Sequence, residues 1–325
     1  MEKNMTGRIY GTGSWAPPEV WDNDHLAQMV DTSDEWIRER TGVAQRHIAG
    51  DNEDTVMMAA EAAGRAIEDA GISAEEIDLI IVATISPSDI MPCVACKVQE
   101  ITGAVNATCF DLNGACTGSL LALNTAQAYL AQGIYRTALV IGAEKLSGLT
   151  DWTDRTTCIL FGDGAGAVVL KAEENGRYAQ VTHSIGKKGS ALTLTSRNQI
   201  RYENDPKASE TYIKMNGKEV FTFAVSRVPE AVKELLSREK VACEEIRYYL
   251  LHQANERIIR SAARRIGDEI NKFPMNMDRY GNTSSASLLI LLDEIKRKGE
   301  LKRGDRLVLA GFGGGLTYGA SLIEY

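Results

Sequence analysis

The sequence predicts a layered α/β protein built from two copies of one half-domain. Apolar segments typical of buried strands alternate with Ala- and Leu-rich segments typical of helices. Three short landmarks recur in the second half at offsets of 167 to 169 residues, as expected of an internal duplication. They are 75–77 with 244–246, 111–114 with 278–281, and 139–140 with 307–308. We therefore predict one half at residues 1–170 and the other at residues 171–325.

The elements of the first half follow from apolar runs and capping residues. The nearly continuous apolar segment 77–84 indicates a strand buried on both faces of a sheet. Segment 31–42 has acidic residues in its first turn and arginines in its last, which is typical of a capped helix. The predicted strands are 7–15, 77–84, 107–112, 137–142 and the strand within 161–170, and the predicted helices are 23–30, 31–42, 55–70, 92–102 and the one from Cys116 to about 131.

The second half begins with a more polar stretch. Residues 171–209 are predicted to form a connection and a surface excursion. A helix over 220–238 and a strand over 247–251 follow. A Leu-rich helix after Gly281 then corresponds to the helix after Cys116. The order of elements therefore repeats.

Composition excludes several classes of function. The 325 residues carry a formal net charge of −8, which argues against a nucleic-acid or anionic-membrane partner for the protein as a whole. No apolar run approaches the roughly 18–20 residues needed to span a bilayer, and the polar start gives no sign of a signal peptide. We expect a cytoplasmic protein with no membrane span and no nucleic-acid partner.

The six cysteines are predicted to be reduced cytosolic thiols rather than a disulfide framework. Cys93 and Cys96 form a lone C-x-x-C motif with no second pair and no histidine cluster nearby. Zinc binding or redox chemistry is one interpretation of this motif. We favour small side chains on the helix that starts after Pro92, and we predict no metal site.

Cys116 lies where an apolar strand turns at Gly114 into a helix. The positive end of a helix favours negative charge, so this position predicts a lowered thiol pKa and a nucleophilic cysteine. Gly114 and Gly118 leave room for a substrate close to the backbone. The alternative interpretation is a small buried residue where the helix packs on the sheet.

Three later segments supply partners for a thiolate. His252 follows an apolar strand, and the carboxyl ends of strands are where α/β proteins build their sites. In the duplicated half, Asn282 falls close to the position that corresponds to Cys116, and its amide can donate to an oxyanion without titrating. The glycines at 313–315 expose backbone N–H groups. A structural histidine at a strand end is the alternative interpretation of His252.

Trp36 and Arg40 are four residues apart and share one face of the predicted helix. An aromatic ring beside a guanidinium can hold an adenine and a phosphate. The alternative is a buried tryptophan beside a solvated arginine.

Taken in order along the chain, these motifs resemble one known family. The sequence has Gly-Thr-Gly-Ser at 11–14, Asp-Thr-Ser-Asp-Glu-Trp-Ile at 31–37 and Ala-Cys-Thr-Gly at 115–118. It continues with Phe-Gly-Asp-Gly-Ala-Gly at 161–166, His-Gln-Ala-Asn at 252–255, Gly-Asn-Thr-Ser at 281–284 and Phe-Gly-Gly-Gly-Leu-Thr at 312–317. The chain resembles the β-ketoacyl-acyl-carrier-protein synthase III family, the initiating condensing enzymes of type II fatty acid synthesis. That resemblance implies a thiolase-like fold with five layers, α-β-α-β-α.

The resemblance implies an acyltransferase in which Cys116, His252 and Asn282 are the catalytic residues. Cys116 would take an acyl group from an acyl-coenzyme A, and the N–H groups of Cys116 and Gly314 would form the oxyanion hole. His252 and Asn282 would donate to the carbonyl of malonyl-acyl-carrier protein while CO₂ leaves. The resulting carbanion would attack the acyl-cysteine.

The resemblance also assigns binding residues and partners. Coenzyme A would contact Trp36, Arg40, Arg155, Gly217 and Asn255. Met91 and Phe312 would belong to the acyl pocket, and Arg257 would contact the acidic carrier protein. Acyl-coenzyme A would be a substrate rather than a tightly bound cofactor, and the protein would be a homodimer.

Three residues depart from the pattern of the family. Ser119 stands where an aromatic residue is frequent, and Tyr318 replaces a frequent tryptophan. Met91 stands where many members carry a phenylalanine that reaches the acyl pocket of the partner subunit. Because methionine is adaptable, a starter larger than acetyl is predicted to fit. The resemblance leaves open the starter, the carrier protein and the choice between primary and secondary metabolism.

Three other functions are alternatives for this sequence. Residues 114–118 have the G-x-nucleophile-x-G spacing of a hydrolase elbow, but Asn282 follows His252 and the duplication has no place in a hydrolase. A non-catalytic scaffold would not need Cys116, His252 and Asn282 together. A ketosynthase or acyltransferase of secondary metabolism with the same fold is the closer alternative.

Overall fold

The structure is a computed structural model that describes residues 5–196 and 211–325. The first sheet and its flanking strands contain β1 Met5–Trp15, β2 Val20–Asp22, β3 Gln45–His47, β4 Leu79–Ala83, β5 Thr108–Leu112, β6 Thr137–Glu144 and β7 Gly164–Glu174. The remaining strands are β8 Tyr178–Ser184, β9 Leu192–Thr193, β10 Lys214–Met215, β11 Ile246–Leu251, β12 Arg306–Gly313 and β13 Thr317–Glu324. The α-helices are α1 Asn23–Ala27, α2 Asp34–Thr41, α3 Thr55–Ala70, α4 Val94–Thr102, α5 Gly118–Ala131, α6 Gly217–Glu239, α7 Glu256–Ile266, α8 Met277–Tyr280 and α9 Ser287–Arg297.

Two sheets with matching strand order form the frame. The first has the order β1-β7-β6-β4-β5, with β4 parallel to both β5 and β6. The second has the order β8-β13-β12-β11, with β11 parallel to β12. Strand β5 lies at the edge of the first sheet. The second sheet has no counterpart of β5 among the described residues, because the corresponding part of the sequence forms helix α8. The duplication predicted from the sequence is therefore visible in the topology.

The offset between the two copies is 169 residues at strands β4 and β6 and their counterparts β11 and β12. Leu79 pairs with Ala138 in the first sheet, and Tyr248 pairs with Leu307 in the second, 169 positions later in both cases. The offset of 169 predicted from the acidic landmark is correct, and those of 167 and 168 are wrong. The residues in those two landmarks are alike in type, but they do not occupy equivalent positions in the two copies. Under the corrected register the counterpart of Cys116 is Ser285, and Asn282 corresponds to Asn113.

The apolar side chains form a five-layered α-β-α-β-α arrangement. Helices α3 and α4 cover the outer face of the first sheet, and α6 and α7 cover the outer face of the second. Helices α5 and α9 lie between the sheets in one shared core with the inner faces of both. Because every face of both sheets is covered, β4 and β6 are buried along their whole length, as their unbroken apolar sequences predict.

The predicted boundary after residue 170 falls inside β7, which runs without a break to Glu174. The transition to the second sheet comes after Glu174, in the turn before β8. Strand β8 is the counterpart of β1 and was not predicted, because its alternation of buried and exposed residues resembles a polar connection. The part of the predicted excursion at 197–209 lies outside the described residues, as do residues 1–4 of the predicted polar start. In the ranges that are described, no helix is long and apolar enough to cross a membrane.

Two glycines let the halves approach closely. A Cβ atom at Gly142, on β6, would lie 2.4 Å from the carbonyl oxygen of Ser285. A Cβ atom at Gly313, at the end of β12, would lie 2.9 Å from the backbone nitrogen of Cys116. The turn before each central helix therefore sits against the strand end of the opposite half.

We predict that Gly142→Ala destabilises the protein, because the clash is with backbone that cannot rotate away. Forced overpacking costs about 1–3 kcal/mol. The matched control is Gly64→Ala in α3, where a Cβ meets nothing within 4 Å and helix propensity should add up to about 1 kcal/mol of stability. Chemical denaturation of both variants tests this, and equal midpoints would contradict the close packing at Gly142.

Candidate active site

Cys116 lies in a one-turn 3-10 helix, Ala115–Thr117, between β5 and α5. The preceding Ala115 has a φ of +47°, a conformation that costs a non-glycine residue energy and recurs at functional turns. Ser284, its counterpart 169 residues later, also has a φ of +47°. The cysteine side chain is 9% exposed. The predicted strand-to-helix position of Cys116 is confirmed.

The predicted lowering of the Cys116 pKa is wrong. Burial, with a smaller contribution from the nearby carboxylate of Glu144, raises the pKa of the thiol to about 11. The hydroxyl of Ser284 acts in the opposite direction, as does the backbone of Cys116 itself. The desolvation of the thiolate outweighs these favourable interactions. The resting group is therefore a thiol.

His252 follows β11 and is buried, with its ring edge against Phe312 at a centroid distance of 5.4 Å. Its Nδ1 lies 2.7 Å from Oγ of Ser287. That oxygen also accepts from the backbone N–H of Gln253 at 3.4 Å, so the hydroxyl proton of Ser287 is available for Nδ1. Nε2 then carries the ring proton, and it is buried with no hydrogen-bond partner among the described residues. Burial lowers the pKa of His252 to about 3, so the ring is neutral.

Asn282 is held at both its backbone and its side chain. Its N–H donates to the carbonyl of Leu160 at 2.8 Å, and its own carbonyl accepts from the N–H of Gly162 at 3.1 Å. Its Oδ1 accepts from the N–H of Ser284 at 2.9 Å. Because the side-chain oxygen is used in this way, Nδ2 remains as the donor that Asn282 can offer to a ligand.

One cavity of about 1420 Å³ brings the predicted chemistry together. Cys116, His252, Asn282 and Gly314 all line it, although they are distant in sequence. Phe312, predicted for the acyl pocket, also lines it. The cavity wall includes further apolar residues that could not be singled out by sequence analysis, because they resemble ordinary core residues: Leu146, Leu149, Phe161, Leu192 and Ile213.

Met91 does not line this cavity. It is 87% exposed, next to Ile90, which is 80% exposed. Met91 is therefore not part of the cavity wall of its own chain, and its predicted contact with the acyl pocket of a partner subunit stays a prediction. The residue lies on a surface loop before α4, and from there it is free to contact only another molecule.

The residues predicted to hold a nucleotide also come together. The guanidinium carbon of Arg40 lies 4.3 Å from the ring centroid of Trp36, and that of Arg155 lies 5.3 Å from it. Arg155 donates to the carbonyl of Asp31 at 2.7 Å, which joins two distant segments. The amide of Asn255 donates to the carbonyl of Arg40 at 2.9 Å. We call Trp36, Arg40 and Arg155 the tryptophan cluster. Asn255 also lines the cavity, so it connects this cluster with the cavity.

Gly217 and Arg257 lie beside the same cavity. Gly217 is the first residue of α6 and lines the cavity wall. Arg257 is in the first turn of α7, with its guanidinium carbon 5.4 Å from the ring centroid of Phe221, another lining residue. Within the part of the chain that the structure describes, no group of three or more His, Cys, Asp or Glu side chains is arranged as a metal site.

Comparison with known proteins agrees with this arrangement. Models described as 3-oxoacyl-[acyl-carrier-protein (ACP)] synthase III match residues 110–189, and models of its C-terminal part match residues 236–325. A β-ketoacyl-[acyl-carrier-protein] synthase III of Clostridium acetobutylicum is 49% identical over 319 residues, covering 98% of each chain. The chain belongs to the synthase III family.

Solved structures agree with this family assignment. A family member from Aquifex aeolicus superposes with a TM-score of 0.92 at 41% identity, covering 98% of this chain and all of that one. The family member from Thermus thermophilus gives 0.91 at 36% identity, with 98% of each chain covered. A priming β-ketosynthase of a polyketide pathway gives 0.95 at 33% identity, covering all of this chain and 97% of that one. The fold is the thiolase fold of these neighbours.

Glu144 is a buried carboxyl group behind Cys116 that sequence analysis missed. Its two oxygens accept from the hydroxyls of Ser86 at 2.6 Å and Ser285 at 2.8 Å, and from the N–H of Ile85 at 3.1 Å. It joins the ends of β4 and β6 to the turn that follows Asn282. Burial raises the pKa of Glu144. The signal for it was a lone acidic residue at the end of an otherwise apolar strand.

We predict that Glu144→Gln lowers the pKa of the Cys116 thiol, because the amide removes a negative charge that opposes thiolate formation. The rate of Cys116 alkylation by iodoacetamide, followed by peptide mapping against pH, should reach its midpoint at lower pH. Glu100→Gln, an exposed carboxylate on α4, is the control and should leave the profile unchanged. A profile unmoved by Glu144→Gln would mean that the carboxyl group does not act on the thiol.

Proposed function

We propose that the protein is a cytoplasmic β-ketoacyl-ACP synthase III. It condenses a short acyl-coenzyme A, such as acetyl-coenzyme A, with malonyl-acyl-carrier protein to give 3-ketoacyl-acyl-carrier protein, CO₂ and coenzyme A. The observation that carries the proposal is a buried thiol that lines the same cavity as two neutral hydrogen-bond donors, His252 and Asn282. The family membership of the whole chain supports it.

The first half-reaction makes an acyl-enzyme on Cys116. Its sulfur attacks the thioester carbonyl, the bond to the sulfur of coenzyme A breaks, and the thiol proton ends on the released coenzyme A. The N–H groups of Cys116 and Gly314 stabilise the oxyanion. The close approach of residue 313 to the nitrogen of Cys116 supports this pairing, because it brings the two backbones together.

The second half-reaction needs donors rather than a base. Loss of CO₂ from the malonyl group leaves an enolate whose charge gathers on the thioester oxygen. The Nε2–H of His252 and the Nδ2–H of Asn282 donate to that oxygen as the charge develops. The carbon of the enolate then attacks the acyl group on Cys116, and the sulfur of Cys116 leaves. A histidine whose pKa is about 3 suits this role, since it donates without becoming charged.

Coenzyme A binds along the route from the tryptophan cluster to the cavity. Trp36 and Arg155 hold the adenine, and Arg40 lies beside the nucleotide. Asn255 and Gly217 contact the pantetheine arm. The contacts of both guanidinium groups with Trp36, together with the hydrogen bond from Asn255 to Arg40, support this path.

The chain acts as a homodimer that docks an acidic carrier protein. Strand β5 has a free edge in the described sheet, and four exposed apolar side chains lie on the loop before α4 and around its end: Ile90, Met91, Ile101 and Val105. An open strand edge with exposed apolar residues favours association. Met91 would then reach the acyl pocket of the partner subunit, where its adaptable side chain admits starters larger than acetyl. Arg257, beside Phe221, attracts the carrier protein.

A priming ketosynthase of secondary metabolism is the second candidate. The observation that favours it is the polyketide priming enzyme, whose TM-score of 0.95 is no lower than those of the synthases named above. Both candidates use the same acyl-enzyme, so they differ in the starter accepted and not in the chemistry.

We expect intact-protein mass to show an acyl adduct on Cys116 after mixing with acyl-coenzyme A thioesters. The adduct should leave only when malonyl-acyl-carrier protein is added, because the low pKa of His252 makes it a poor base for activating water. The preferred starter in a panel of acyl groups distinguishes the two candidates. Discharge of the adduct to water alone would favour a hydrolase, and no adduct with any donor would refute both candidates.

Variants of the two donors separate the half-reactions. His252→Ala and Asn282→Ala should still gain the acyl mass, because neither residue stabilises the first oxyanion. Condensation should fall by about 10²–10³-fold in each, the usual effect of removing one oxyanion donor. His183→Ala, a histidine on β8 away from the cavity, is the control and should behave as the native protein. Full condensation by either donor variant would contradict the assigned roles.

We predict that Trp36→Ala raises KM for acyl-coenzyme A by about tenfold, since losing a cation–π and stacking platform costs on the order of 1–2 kcal/mol. An acyl-pantetheine donor, which lacks the nucleotide, should show no such change. Arg38→Ala on the same helix, an exposed residue paired with Asp34, is the control variant. Equal effects of Trp36→Ala on both donors would mean that Trp36 does not hold the nucleotide.

A further inference from the structure

Arg46, on β3, is a fully buried arginine that forms no ion pair with a carboxylate among the described residues. Its two terminal nitrogens donate to the carbonyls of Trp21 at 3.1 Å and Ile159 at 2.9 Å. Its Nε is buried with no hydrogen-bond partner in the described chain. Burial lowers the pKa of the guanidinium to about 10, so the group remains charged at neutral pH. A buried charge without an opposite charge destabilises a protein, so packing alone does not account for Arg46.

Arg46 and His47 together fix one segment, residues 159–163, against β3. The guanidinium of Arg46 binds the carbonyl of Ile159 at the start of the segment. The carbonyl of His47 accepts from the N–H of Asp163, at the end of the segment, at 2.9 Å. Because the guanidinium also donates to a carbonyl on β2, the start of the segment is tied to both of these paired strands. The segment is therefore anchored at each end.

The middle of this segment holds Asn282. The N–H of Asn282 donates to the carbonyl of Leu160 at 2.8 Å, and the carbonyl of Asn282 accepts from the N–H of Gly162 at 3.1 Å. Phe161 and Asn282 thereby form an isolated parallel β-bridge, which we call the Asn282 bridge. Both backbone hydrogen-bonding groups of Asn282 are thus bound to the segment that Arg46 holds.

The stem of Arg46 packs against both sides of the Asn282 bridge. A Cβ atom at Gly162 would lie 3.0 Å from Cβ of Arg46, and one at Gly281 would lie 3.2 Å from the same atom. Gly281 also has a φ of +64°, a conformation that favours glycine. The two glycines therefore let the backbone of the bridge lie directly on Arg46. Arg46 itself does not line the described cavity, so it reaches the site only through its neighbours.

We propose that Arg46 is a positioning residue for Asn282 in the condensation step. Its guanidinium fixes the carbonyl of Ile159, the segment fixes the Asn282 bridge, and the bridge sets the position of Nδ2. A preorganised donor stabilises an oxyanion only at the correct distance, and a displacement of about 1 Å can lower a rate by about 10²-fold. The hydrogen bonds of Arg46 do not go to the turn that contains Cys116. This inference rests on the proposed function, in which Asn282 donates to the enolate oxygen.

The first test measures the Asn282 bridge directly and needs no activity. In Arg46→Gln a neutral amide keeps one donor and removes the buried charge, so the variant is expected to fold. Hydrogen–deuterium exchange with mass spectrometry should show about tenfold faster exchange at the N–H groups of Gly162 and Asn282, because a hydrogen bond from a charged group is lost. Peptides from β6 should be unchanged. Arg303→Gln is the matched control, since Arg303 also donates to a backbone carbonyl, that of Ile9 at 2.6 Å.

The second test separates the two half-reactions. Arg46→Gln and Arg46→Ala should gain the acyl mass on Cys116 at the native rate, whereas condensation with malonyl-acyl-carrier protein should fall by about 10²-fold. Adding Asn282→Ala to Arg46→Gln should lower condensation no further than Asn282→Ala alone, because both changes act on the same donor. Arg303→Gln should behave as the native protein in both half-reactions.

Each other outcome overturns the inference. Native exchange at Gly162 and Asn282, native condensation by Arg46→Gln, or equal loss of both half-reactions would show that Arg46 does not position Asn282. Failure of both Arg46 variants to fold, or losses that add in the double variant, would assign Arg46 to general stability instead. If the native protein does not condense, or if Asn282→Ala condenses fully, the proposed function fails, and the exchange measurement still decides whether Arg46 holds the bridge.

Discussion

The site depends on the close contact of two helix-initiating turns with the strand ends of the opposite half. The turn that carries Cys116 lies against Gly313 at the end of β12, and the turn after Asn282 lies against Gly142 on β6. A side chain at either glycine would collide with backbone. Because these turns precede the two central helices, the packing that joins the halves also fixes the groups that line the cavity. The position of the groups in the site therefore depends on the packing of the core between the two halves.

The duplication places a second, altered set of residues behind the first. The residues at the centre of the proposed site have counterparts 169 positions away in the other half. In the counterpart set a serine replaces the nucleophile, and its hydroxyl donates to Ala83 and Glu144 instead of facing a substrate. The pairs are Cys116 and Ser285, His252 and Ala83, Asn282 and Asn113, and Gly313 and Glu144. The counterpart of Cys116 thus makes a buried polar contact beside the cavity, whereas Asn113 still lines the cavity.

Sequence patterns predicted what depends on chain order and local chemistry. Buried strands, the strand-to-helix turn at Cys116 and the face shared by Trp36 and Arg40 all follow from spacing, and the structure has each of them. The apolar wall of the cavity could not be predicted this way, because it is made of residues such as Phe161 and Ile213 that resemble any core residue. The offset between the two copies was predicted correctly from only one of the three landmarks. The other two landmarks matched in residue type but do not occupy equivalent positions in the two copies. The pKa of Cys116 was misjudged because a sequence shows helix ends but not burial.

Burial explains why the two titratable groups of the site shift in opposite directions. Removing water disfavours the charged form of each, which raises the pKa of Cys116 to about 11 and lowers that of His252 to about 3. Both groups are therefore neutral across the physiological range. A hydrolase needs a base to activate water, and a histidine with so low a pKa serves poorly. A condensation driven by loss of CO₂ needs only donors that stabilise an enolate, so the burial that keeps His252 neutral suits the proposed reaction.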